Sequence, residues 1–100
     1  MTKTVSATVS SVKLLDGLFA AQEAQEILLD LINSKIHFHE LKNFSSLERH
    51  GKPDPVAMHR LPELREERKK IMAFTEHAIQ NHCNLKITSA IRMELIHEGR

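Results

Sequence analysis

The chain has 100 residues and a mass of 11.4 kDa, 41% apolar and 27% charged, which suits one domain and excludes a disordered tail. Aromatic content is 4%, all of it phenylalanine, so an aromatic base-stacking platform or carbohydrate groove is excluded. Fourteen Lys/Arg stand against thirteen Asp/Glu, a formal charge of +1, and the two signs are interleaved, without the basic excess or stripe of a phosphate-tracking protein.

Residues 3–12 alternate, with Val5, Ala7 and Val9 on one face and Thr4, Ser6 and Thr8 on the other. Period two with β-branched content predicts a half-buried strand. Leu14-Leu15 interrupts the alternation, and Asp16-Gly17 offers a cap for a helix over about 17–49. That segment has no proline, and its next glycine, Gly51, stands where a helix C′ residue belongs. Positions 51–54 read as a turn, with Asp54 as N-cap and Pro55 at the first helical position of a second helix over about 55–82. Pro62 lies inside that helix and removes one backbone donor, so a kink or break is expected between Met58 and Leu61. Beyond Asn84 the period returns to two: Leu85, Ile87, Ile91, Met93 and Leu95 alternate with Lys86, Thr88, Arg92 and Glu94, predicting a strand over about 85–96.

The expected fold is therefore α+β and mostly α, in the order β-α-α-β. A long antiparallel helical hairpin is closed at one pole by N- and C-terminal strands that pair antiparallel. A lone two-stranded ribbon is marginal in water and has two unprotected edges.

Placed at 100° per residue, Glu23, Glu26, Asp30, Asn33 and His37 share a solvent face of the first helix. Ile27, Leu28, Leu29, Leu31, Ile32 and Ile36 fan over an apolar arc of about 200°, against the ~100° stripe that one neighbouring helix needs. Leaving such side chains half exposed forgoes ~1.5–3 kcal/mol each. A symmetric dimer with a four-helix core and a four-stranded sheet is the expected remedy, with a last strand folded back over the arc as the alternative. Lys35 and His39 fall inside this arc, and Glu67 and Arg68 fall on the apolar stripe of the second helix. An antiparallel register centred near Pro53 sets Glu67 opposite His39 and near Lys35, with Arg68 approaching Glu40. Together these predict a buried polar layer that fixes register.

Chemistry is nearly silent. Seven histidines invite a metal test, and His50, Asp54 and His59 flank the turn as candidate ligands, but their spacing matches no compact motif. Cys83 is the only cysteine, so no internal disulfide can form, and it lacks a base placed to make it a nucleophile. The three glycines, 17, 51 and 99, form no phosphate loop. No catalytic residue and no cofactor are expected. The N-terminal stretch carries no continuous apolar region, and the longest apolar run is Leu18-Phe19-Ala20-Ala21, which points to a cytoplasmic protein with no membrane span. The functional expectation is a non-catalytic, self-associating interaction or scaffolding module. A nucleic-acid-binding accessory protein using Arg65–Lys70 comes second and a metal-binding module third.

Overall fold

The structure, a computed structural model, describes residues 8–97. The elements follow in the order β1 (Val9–Ala20), α1 (Ala21–His50), α2 (Pro55–Gln80) and β2 (Asn84–Glu94). This is the mostly α α+β fold read from the sequence, with two long helices and an antiparallel two-stranded sheet. The described residues form two compact units: a helical hairpin over Phe19–Leu85, and a ribbon of residues 8–18 and 86–97.

In the hairpin, α1 stops where its last turn meets Gly51. Gly51 takes φ 70°, ψ 13°, and its N–H donates to the Leu47 carbonyl at 3.0 Å. This is the left-handed cap that glycine adopts without steric cost. The Asp54 carboxylate accepts from the Ala57 N–H at 2.9 Å, Pro55 takes the first helical position, and α2 begins as predicted. Two side chains of α1 tie the turn down: Ser46 Oγ donates to the Lys52 carbonyl at 2.8 Å, and Asn43 Oδ1 accepts from the Asp54 N–H at 2.9 Å. Helix α2 runs through Pro62 to Gln80 without a break. The exposed ring leaves only the Met58 carbonyl without its intrahelical donor.

The end of α2 carries a device the sequence reading missed. His82 adopts φ 53°, its N–H donates to the Ile79 carbonyl, and the Cys83 N–H donates to the Ala78 carbonyl at 2.9 Å. This is a Schellman motif with histidine in the left-handed position where glycine is usual. His82 therefore caps the helix through its backbone N–H.

The hairpin's buried side chains are mostly small. Ala21, Ala24, Thr75 and Ala78 line the end towards the strands, while Ile36, Leu61, Leu64 and Ala57 form a cluster against which Ile32 packs. Gln25 Nε2 donates to Thr75 Oγ1 at 2.9 Å, and that hydroxyl donates to the Ile71 carbonyl at 2.7 Å. Thr75 thus keeps its polar group satisfied although it is the most deeply buried residue of any bulk.

The first strand corrects the sequence reading. β1 occupies Val9–Ala20 instead of 3–12, and residues 3–7 lie outside the described residues. Asp16 and Gly17 sit within the strand, so α1 starts at Ala21 with Ala20 at its N-cap and no side-chain cap. The cause is tertiary: β2 supplies a partner back to Asn84, and half-buried Leu15, Gly17 and Phe19 alternate with exposed Asp16, Leu18 and Ala20. Cross-strand pairing outweighs a local cap signal. Asp16 meets Lys13 Nζ at 3.2 Å instead of capping a helix. At the outer end of the ribbon the Leu95 N–H donates to the Thr8 carbonyl at 2.8 Å. Counting inward from that bond sets Met93 opposite Ser10 and Ile91 opposite Val12.

Candidate interaction surface

The predicted apolar arc is divided between core and surface. Ile36 is 9% exposed and belongs to the hairpin core, not to a free face. Ile27, Leu28, Leu29 and Ile32 are half-buried, and Leu31 is exposed. The larger exposed side chains lie farther along α1, at Phe38, Leu41, Phe44 and Leu47, and on α2 at Val56, Met58 and Phe74. Phe38, Phe44 and Phe74 are 50%, 61% and 65% exposed. The exposure of Phe74 has no signal in the sequence.

The predicted polar layer does not form. Of its four members only His39 is buried, at 7% exposure, and Lys35, Glu67 and Arg68 face solvent. Arg68 Nε donates to Asn33 Oδ1 at 2.8 Å, and Arg65 takes the place foreseen for Arg68, 3.1 Å from Glu40. Gln25 meets Thr75 and Asn33 meets Arg68, so over that stretch the helices lie about a turn away from the expected register, while Asn43 and Ser46 bond into the turn. Glu67 turns to Lys70 at 3.4 Å instead of Lys35 or His39. The His39 ring stands edge-on to Phe38, with centroids 5.2 Å apart, and its Nε2 is buried without a hydrogen-bond partner.

The two broad faces of the hairpin differ in character. On one, the Glu40–Arg65 and Asn33–Arg68 pairs bridge the helices. Between them and the turn, Phe44, Leu47, Met58 and Pro62 line an open apolar cleft of about 370 Å³. On the other, Lys35 Nζ and Lys42 Nζ lie 5.4 and 5.8 Å from the centroid of the Phe38 ring. Cation–π attraction holds both ammonium groups over an exposed aromatic, and among the described residues neither lysine is in an ion pair.

The metal candidates do not converge. His50 is exposed at the end of α1, Asp54 is engaged as a cap, and His59 lies 3.8 Å from Glu63. Among the described residues no three His, Cys, Asp or Glu side chains are arranged to hold a metal ion. Cys83 is exposed, with Sγ 3.5 Å from the Asn81 carbonyl. Along Arg65–Lys70, Arg65 pairs with Glu40, Lys69 with Glu66 and Lys70 with Glu67, while Arg68 bonds Asn33. Among the described residues no helix is long and apolar enough to cross a membrane. No family model, curated protein or solved structure matches the chain.

Proposed function

We propose that the protein is a non-catalytic, self-associating interaction module of the cytoplasm, working as a homodimer. One observation carries the reading: the distribution of apolar bulk. Among the described residues, four of the seven buried apolar residues are alanines, whereas sixteen large apolar side chains are exposed. An unpaired, exposed Cys83 suits a reducing compartment.

The nucleic-acid reading is weaker, because Arg65, Lys69 and Lys70 already hold carboxylates and a phosphate would have to displace them. For the metal reading, no three His, Cys, Asp or Glu side chains among the described residues are arranged to hold an ion.

Solution mass by light scattering, over a tenfold range of concentration, tests the proposal. A mass of twice 11.4 kDa is expected. A constant 11.4 kDa throughout would overturn it.

A further inference from the structure

We propose that the side of α1 turned away from α2 is the surface on which a second copy of this chain docks, the two α1 helices lying parallel and in register about a two-fold axis. The inference rests on the self-association proposed above and names its surface and its orientation.

Two seams run along α1. Gln25, Ile32, Ile36 and Asn43 line the first, where Gln25 bonds Thr75, the two isoleucines pack with Leu61 and Leu64, and Asn43 bonds the turn. The second runs about 160° round the helix. There Ile27, Leu31, Ser34, Phe38 and Leu41 follow at spacings of four and three residues, the repeat of a coiled-coil contact. Ile27 is half-buried and the other four are exposed. Glu23 and Asp30 flank this seam on one edge, and Lys35 and Lys42 on the other. Among the described residues none of these four charged groups is in an ion pair. The carboxylates of α2 differ, since Glu63, Glu66 and Glu67 already hold Arg60, Lys69 and Lys70.

An apolar seam with unpaired acid on one edge and unpaired base on the other is complementary to itself. A two-fold axis parallel to α1 sets the acidic edge of each chain against the basic edge of the other. Asp30 then faces Lys35 of the second copy, twice over, as flanking charges do in parallel coiled coils. An antiparallel pair would set like edge against like, so the charges select orientation more than they add affinity. Leu31 and Phe38 form the centre of the contact. The Lys35 and Lys42 ammonium groups already lie over the Phe38 ring, on the edge where the second copy's Asp30 arrives. Glu48 continues the line seven residues beyond Leu41 and would meet its own copy, so the contact ends before the last turn of α1.

Charge reversal and cross-linking test the pairing. Asp30→Lys and Lys35→Asp, made singly, each set like charges together and should weaken self-association at least about tenfold. Combined in one chain they become opposite again, and the dissociation constant should return to within about threefold of the parent's. Circular dichroism of each variant checks that the hairpin persists. Should a reversed chain unfold, a cross-link decides. Ser34 lies on the axis, where the two copies approach to about 6 Å between Cα atoms, within disulfide reach. In a Cys83→Ser background, Ser34→Cys should oxidise to a linked dimer of twice 11.4 kDa, whereas Glu66→Cys, at an exposed position of α2, should not. Failure of Ser34→Cys to link, or linking no better than Glu66→Cys, overturns the proposal. If the parent dimerises and the single reversals match it, or the double variant stays weak, self-association stands and this pairing is wrong. A monomeric parent removes both.

Discussion

Replacing His39 by leucine should stabilise the hairpin. The imidazole is 7% exposed, and its Nε2 has no hydrogen-bond partner. A buried polar group left unsatisfied costs about 1–3 kcal/mol. Leucine keeps most of the volume and removes that cost. What it forfeits is the edge contact with the Phe38 ring, worth about 0.5–1.5 kcal/mol. The difference favours leucine by about 1 kcal/mol, equivalent to roughly 4–8 °C in melting temperature for a domain of this size. His39→Ala removes the same orphan but leaves a cavity beside the core, so it should fall below the leucine variant by about 2–5 kcal/mol. Urea unfolding followed by circular dichroism, at one fixed protein concentration for all three chains, measures both differences. A leucine variant less stable than the parent by 1 kcal/mol or more would show that Nε2 has a bonding partner in solution, and the reasoning from an orphaned nitrogen would be refuted.

Three further substitutions probe other joints of the hairpin. Thr75→Val keeps the shape but takes away the acceptor of Gln25 Nε2, so it should cost about 1–2 kcal/mol; a neutral result in urea unfolding would place the Gln25 amide in water. Pro62→Ala restores a donor to the Met58 carbonyl in a continuous helix and should stabilise by about 1–3 kcal/mol, and a loss of stability would mean that the proline ring packs. The two left-handed caps should respond in opposite senses. Gly51→Ala, with open space around the added Cβ, should cost about 1 kcal/mol from backbone strain alone, while His82→Gly should gain a similar amount; thermal melts giving both changes the same sign would contradict the cap assignment.

The element order and the turn were legible in the sequence because each rests on local chemistry. Gly51, Asp54 and Pro55 announce their roles through backbone preferences that act within a few residues, and the period-two run after Asn84 needs no partner to be recognised. What was not legible depends on contacts distant in sequence. The start of α1 was misplaced because Asp16-Gly17 is a good local cap, and only the ladder with β2 makes it strand. The polar layer failed for a related reason. Its register assumed a turn centred near Pro53, but Asn43 and Ser46 bond into that turn, and Asn33 meets Arg68 and Gln25 meets Thr75. A displacement of one helical turn keeps every side chain on nearly the same face but changes its partner. Arg65 therefore occupies the place foreseen for Arg68, and Glu67 is left to Lys70. The candidate surface was half legible. Leu31 lay within the predicted arc, whereas Phe38 and Phe74 declare themselves only when the core proves too narrow to take them.

The narrowness of that core has its own cause. Ala21, Ala24, Ala57 and Ala78 are buried in the hairpin, and small side chains at a helix contact let the axes approach towards the short end of the 8–10 Å range. A close pair encloses little volume, so larger side chains on either side of the contact line are forced onto the flanks. A self-sufficient monomer would place its phenylalanines inside and its alanines at the rim. Here Phe38, Phe44 and Phe74 are all half exposed or more. Moving them inward would require replacing the alanines and separating the helices, which the hairpin's own contacts oppose. A further layer packed on the flank hides the same area with no change in the hairpin. A narrow core and apolar side chains left on its flanks are thus two results of one choice of residues: alanine among the buried positions and phenylalanine beside them.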